Sequence, residues 1–338
     1  GAHHPQTEGV AMKARWGRFV RFAGEREPGL VLACFRVLVG VVAFGNILGV
    51  VLYDVVELLF VDKRWGGAFT IDDHFLVNAL GGASPGVVWT LVVVSLAGSA
   101  MVAVGLGGRL ATFVTIQAYY ALTRANLSSG GGYDALITNA MWILFIGGAS
   151  QVMSVDSRIR TGRWWNPGQE VPAIARRLAI FQILFVYGTT GLHKLSPVWT
   201  PVGGYSALYW VYQEPTWRRF DMTWTADVYP LTQIATAVTW HWETSAFAML
   251  LFYWYRRTPD RRGWLRRQAN RFDLRKPFLA IGAVLHLGIL ATIAVGPFSF
   301  ISVAYYVAFL TPEEARRLLR RLRPERRAAS DPEILTSP

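Results

Sequence analysis

Lys194 is the residue of this chain whose surroundings best suit acid–base chemistry. It stands in Tyr187-Gly-Thr-Thr-Gly-Leu-His-Lys-Leu-Ser-Pro-Val-Trp199, at the end of an apolar stretch. On a helix, Tyr187, Thr190 and Lys194 share a face, while Gly188 and Gly191 admit a neighbouring helix. That arrangement places an amine in a tight, partly dry, hydroxyl-lined cleft. Desolvation penalises the ammonium form, so a lysine held there is suited to act as a general base. The same spacing also fits a lysine that only snorkels from a span end to the membrane interface.

Other polar groups fall within or beside apolar stretches, where each is costly. They are Arg36, Asn46, Asp134, Asn139, His193, His241, Glu243 and His286. His286 reads as a hydrogen-bonded structural histidine, and Arg36 and Glu243 as partners of other buried polar groups. No two histidines have the i, i+4 spacing of a helical metal pair, and His241 and Glu243 point to different helix faces, so no metal site is expected. Cys34 is the single cysteine, which excludes an intrachain disulfide and a thiolate cluster. The chain has neither a Gly-rich phosphate loop nor a Gly-x-Ser-x-Gly elbow.

The elements that must position these residues are membrane spans. Of 338 residues, 52% are hydrophobic and only 17% charged, against about 25% charged in a soluble domain. Arg crowds into short segments between long uncharged runs, the pattern of spans joined by aqueous loops. The net charge of +12 therefore reads as a topology signal, and no nucleic acid partner is expected. Runs long enough to cross a bilayer, roughly 20 residues, cover Leu30 to Tyr53, Val87 to Leu106, Leu110 to Leu127, Ala135 to Met153, Leu178 to Leu195 and Leu231 to Trp254. Phe278 to Leu310 is too long for one crossing and breaks at Gly296-Pro297, which predicts a tight pair of spans.

The expected fold is an all-α polytopic membrane protein, a bundle of about eight transmembrane helices. That count puts every Arg-rich block on one side, which makes both the N and C termini cytoplasmic. Residues 1–27 form a basic cytoplasmic segment, 28–310 the helical domain, and 311–338 a basic tail with a surface helix from Glu313 to Leu322 and a disordered end. Gly1 to Gln6, with His3 and His4, reads as a disordered leader and not as an apolar signal peptide. The segment Ser196 to Pro230 carries Trp199, Tyr205, Tyr209, Trp210, Trp217 and Trp224, the composition of an interfacial cap.

Gly191-Leu-His-Lys-Leu-x-x-x-Trp199, followed by Gly204-Tyr-Ser206, resembles the core motif of the vitamin K-dependent gamma-glutamyl carboxylase superfamily and its bacterial relatives, the horizontally transferred transmembrane domain proteins. Phe35-Arg-Val-Leu-Val-Gly40 resembles the family's first-span signature. Gly132-Tyr-Asp134 with Met153-Ser-Val-Asp156 resembles its fourth-span segment, and His286 with Val295-Gly-Pro-Phe298 its late His and Gly-x-Phe pattern. Together they run from about Leu30 to Leu310.

The resemblance implies a membrane enzyme in which a lysine, at the position of Lys194, deprotonates a reduced vitamin K or menaquinone-type quinol. Reaction with oxygen then gives a quinone epoxide and a strong base, which removes a proton from a peptide glutamate so that carbon dioxide adds. Tyr133 stands where the animal enzymes have a histidine and can donate a hydrogen bond. The resemblance assigns His193, Trp199, Tyr205, His286, Thr190 and Tyr187 to the walls or support of the site, and leaves Arg36, Asp134 and Glu243 as structural polar groups. It implies a multi-pass protein of the bacterial plasma membrane whose partners are membrane lipid, quinone and a secreted peptide or protein. The animal enzymes add a large luminal domain where this chain has a basic tail, so the quinol chemistry carries over further than the glutamate acceptor does. A non-catalytic module that binds lipid, quinone or peptide in the maturation or immunity of a secreted peptide is the alternative.

Overall fold

Proline at first turns and left-handed glycine after last turns punctuate the apolar runs of this chain. Pro85 opens a helix that Gly105, at φ 71°, closes, and Gly148, at φ 58°, ends another. The structure is a computed structural model and describes residues 5–71, 74–126, 128–166 and 168–322. Its helices before the midpoint are α1 Pro5–Gly24, α2 Leu30–Leu52, α3 Val56–Phe60, α4 Phe75–Ala79, α5 Pro85–Val104, α6 Gly108–Ala125, α7 Gly132–Gly147 and α8 Val155–Thr161. Then come α9 Ala173–His193, α10 Ala207–Gln213, α11 Tyr229–Arg256, α12 Trp264–Arg271, α13 Arg275–Thr292, α14 Phe298–Tyr306 and α15 Pro312–Leu322. Arg26–Pro28 and Glu170–Pro172 pair as a short antiparallel ribbon, the one sheet among the described residues.

This is the fold of an all-α membrane protein. By length and composition α2, α5 and α13 are long and apolar enough to cross a bilayer. The long helices form a closed round: α2 packs on α5, α5 on α6, α6 on α7, α7 on α9, α9 on α11, α11 on α13, α13 on α14, and α14 returns to α2. Close contact is built in at small residues. A Cβ on Gly40 of α2 would lie 2.5 Å from the backbone nitrogen of Ala103 in α5, so only glycine permits that crossing. α14 is central, touching α2, α7 and α9. Its fully buried Tyr305 packs edge-on to Phe35 at 5.1 Å, and its hydroxyl reaches the Leu136 carbonyl and Gln182 Oε1, each at 3.0 Å.

Several boundaries differ from the sequence expectation. The predicted fourth run begins as α7 at Gly132, because the Asp134 carboxylate accepts the Gly131 N–H and caps the helix start, and it ends at Gly148 instead of Met153. The fifth run stops at His193, so Lys194 lies just past the helix and not on its face. The break in the last run extends from Ile293 to Pro297, with Gly296 at φ 59°, and yields α13 and the short α14. Helices α1 and α12 carry no apolar span signal, and Pro5 and Gln6 of the expected disordered leader instead open α1. The expected surface helix is α15, whose start is a capping box: Thr311 Oγ1 accepts the Glu314 N–H while Glu314 Oε2 accepts the Thr311 N–H. Leu127, the first four residues of the predicted leader, and the tail from Arg323 onward lie outside the described residues.

Candidate functional site

Helices α9 and α11 approach closely because α9 ends in glycines. A Cβ on Gly188 would fall 2.5 Å from the Phe247 ring, and one on Gly191 would fall 2.8 Å from the Thr244 nitrogen and 3.0 Å from Glu243 Cβ. Trp240 Nε1 donates to the Gly191 carbonyl at 3.2 Å and takes up one of the orphan acceptors at the helix end. Where α9 stops, Lys194 turns toward α11 and its Nζ donates to Glu243 Oε2 in a close ion pair. The side chains are only 17% and 11% exposed. Trp199, from the 3₁₀ turn that follows, covers the ammonium with its ring centroid 4.2 Å from Nζ. The expected face of Tyr187, Thr190 and Lys194 is therefore not formed. Thr190 is exposed, and leaving the helix swings Lys194 onto a carboxylate instead of a hydroxyl-lined wall.

Two turns earlier on α9, roughly 10 Å along the axis, Tyr187 organises a second cluster. Its hydroxyl lies 2.7 Å from His286 Nε2 of α13 and 3.2 Å from the Tyr306 hydroxyl of α14. A phenol has one proton, so as donor to Tyr306 it accepts from His286 Nε2–H, which leaves Nδ1 as an acceptor. Nδ1 is buried without a partner, in a residue 3% exposed. Trp242 caps the cluster, 4.6 Å from the Tyr187 ring and stacked on Phe278 at 4.9 Å. Trp242 and Glu243 are chain neighbours on α11, so one turn of that helix borders both clusters. His286 is thus hydrogen-bonded to Tyr187, and Glu243 is paired with Lys194.

The remaining predicted residues do not converge on Lys194. His193 is exposed, and its Nδ1 lies 2.8 Å from the Thr189 carbonyl of its own helix. Tyr205 is held at φ 52° and packs against the rings of Trp240 at 6.4 Å and His241 at 5.9 Å. Tyr133 belongs to a different place: it packs under Gly296 and lines a groove of about 620 Å³ with Asn46, Arg219 and Phe300. Asp134 faces inward, accepting from Tyr119 OH at 2.9 Å, Asn46 Nδ2 at 3.2 Å and Gly131 N at 3.0 Å. Arg36 sits near the other end of α2, 3% exposed, donating from Nη2 to the Met153 carbonyl at 2.5 Å while Nε and Nη1 lack partners. Sequence reasoning missed Tyr306, Trp242, Trp240 and Tyr119. Aromatic residues inside apolar runs carry no period that separates a hydrogen-bonding hydroxyl from a packing ring.

Apolar helices long enough to cross a bilayer, packed into an all-α bundle, define a membrane protein, and a shielded ion pair beneath an aromatic ring lies between two of its helices. Residues 26–252, about two thirds of the chain, match the HTTM domain, and the chain belongs to that family, whose domain occurs in vitamin K-dependent gamma-glutamyl carboxylase and related proteins. The match includes Lys194, Trp199 and Glu243 and stops before α13, so His286 and Val295 to Phe298 lie beyond it. No curated protein and no solved structure matches the chain.

Proposed function

We propose that this protein is a quinol-dependent membrane enzyme of the carboxylase type in which Lys194 is the base. The observation that carries the reading is the Lys194–Glu243 ion pair, dry and under the Trp199 ring at the end of α9. A reduced naphthoquinone would supply the acidic hydroxyl and the electrons for reaction with oxygen. The residues fit such a group: Trp199 offers a flat aromatic face, Lys194 an amine, and the exposed Leu192 and Leu195 an apolar edge open to lipid.

The chain's own part is proton handling. In a site of low dielectric the charged pair loses its advantage over the neutral one. Glu243 then takes a proton from Lys194 Nζ, and the free amine is ready to accept the proton of a quinol hydroxyl. The Tyr187, His286 and Tyr306 cluster fixes α9 against α13 and α14, so the amine is held in place. Purified protein incubated in air with menaquinol is expected to form quinone epoxide, detected by mass spectrometry, and Lys194→Ala to form none. No epoxide from the wild type, or equal epoxide from the variant, overturns the reading.

The same ion pair favours a second reading, a non-catalytic lipid-, quinone- or peptide-binding module in which Lys194 stays an ammonium. Reactivity of Lys194 toward an amine-specific reagent across pH separates the two. Labelling that begins only near the ordinary lysine range, about pH 10, favours the binder. The assignment extends to eight crossings in a bacterial plasma membrane with both termini cytoplasmic. It is supported by the Arg-rich segments before α2, between α7 and α9, and from Arg256 to Arg275. Glutamate carboxylation on a secreted peptide, with carbon dioxide as co-substrate, is the acceptor chemistry this reading allows.

A further inference from the structure

Between the last turn of α6 and the first two turns of α7 lies a pocket of about 370 Å³, lined by Tyr120, Thr123, Arg124, Asp134, Thr138 and Asn139 among others. It is separate from the Lys194 site and from the groove beside Tyr133. Its two helical walls carry opposite charges that do not pair. Arg124, on the α6 wall, has no carboxylate partner among the described residues and rests 5.8 Å from the Tyr120 ring centroid. Asp134, on the α7 wall, is buried and accepts three hydrogen bonds from Tyr119, Asn46 and Gly131 N, yet no cation among the described residues pairs with it.

Beside Asp134, the Thr138 hydroxyl is buried in a residue only 5% exposed and has no partner among the described residues, and the exposed Asn139 lines the pocket next to it. Buried polar groups left unpaired are rare and call for an occupant. One wall thus asks for an anion and the other for a cation with several N–H donors. Below the pocket the seam between α6 and α7 continues as an aromatic surface. Phe113 lies 6.1 Å from both Trp142 and Phe145, and Phe113 and Trp142 are open to the surroundings.

We infer that this pocket binds the headgroup of a zwitterionic phospholipid that carries a primary ammonium, with the acyl chains lying on the Phe113 and Trp142 seam. The phosphate pairs with Arg124. The ammonium faces the free lone pair of Asp134, the Thr138 hydroxyl and the Asn139 amide oxygen, three acceptors for its three donors. A trimethylammonium group cannot donate to any of them, and an anionic headgroup meets Asp134 as a like charge.

Native mass spectrometry of the full chain, released from detergent after incubation with phosphatidylethanolamine, phosphatidylcholine or phosphatidylglycerol, tests this. One phosphatidylethanolamine is expected to be retained in preference to the other two. Arg124→Gln is expected to lower that retention about tenfold, and Asn139→Leu to lower it while leaving the melting temperature intact. Asp134 variants are avoided because that carboxylate also caps α7. Equal retention of the three lipids, or unchanged retention by Arg124→Gln, overturns the inference. So does displacement of the lipid by millimolar soluble phosphoethanolamine, which would assign the pocket to a free zwitterion.

Discussion

Glu243 faces Lys194 across the α9–α11 seam, and its carboxylate is the only one that pairs with that amine among the described residues. Replacing it with an amide of the same shape keeps the packing and removes the proton acceptor. Glu243→Gln is therefore expected to reduce quinol epoxidation about 100-fold while preserving the fold. Labelling of Lys194 by an amine-specific reagent should slow in that variant as well, because the amine has lost the group that takes its proton. Slower turnover with unchanged labelling would mean that Glu243 acts on something other than Lys194. Trp199→Leu keeps the apolar cover but removes the ring quadrupole, and its effect on the same two readouts gauges the cation–π contact.

At the scale of elements, the site exists because α9 and α11 touch. Gly191→Val puts a side chain where Thr244 nitrogen and Glu243 Cβ already stand. The cost is about 1–3 kcal/mol of overpacking, read as a lowered Tm, and the ion pair is pushed open. A second element, α15, is docked by charge. Arg275 pairs with Asp273 at 2.6 Å and with Glu314 at 3.1 Å. The Arg275 hydrogen bond holds the Asp273 carboxyl below its usual range. Burial works to raise Glu314, but the Thr311 N–H and Arg275 outweigh it and hold it low as well.

Both carboxyls thus have lower folded than unfolded values, so their contribution is complete above the ordinary carboxylate range, near pH 4. It is lost as the pH falls through the lower folded values. Proteolytic cleavage between Leu310 and Thr311 is expected to become fast only in that acid window. Cleavage that is equally fast at neutral pH would show that these pairs do not hold the helix.

For the whole molecule, the proposed eight crossings would put the α6–α7 turn on one face and the end of α8 on the other. In a Cys34→Ala background, Ser129→Cys should react with a membrane-impermeant maleimide added outside intact cells, and Thr161→Cys should not. Labelling of both positions, or of Thr161→Cys alone, overturns that topology. The round of helices closed by α14 onto α2 also predicts that Tyr305→Ala loosens several interfaces at once. Burying an empty site where a fully enclosed aromatic stood costs about 3–5 kcal/mol, measured as the loss of folded protein on heating in detergent.

By itself the sequence determined the helical class, the places of the long apolar runs, the break at Gly296-Pro297 and the close approach at Gly188 and Gly191. Those depend on hydropathy over tens of residues and on the one residue type that has no Cβ. It also singled out Lys194, Trp199, Glu243 and His286 as polar or aromatic groups with something to explain. Only the tertiary structure decided who meets whom. Lys194 leaves its helix one residue early and so finds Glu243, 49 positions away. Tyr187 finds His286 and Tyr306 from two later helices, and Tyr133 falls into another groove. Contacts between helices depend on their rotation and on where each one stops. A shift of one residue turns a side chain by about 100°, and no hydropathy pattern resolves that angle.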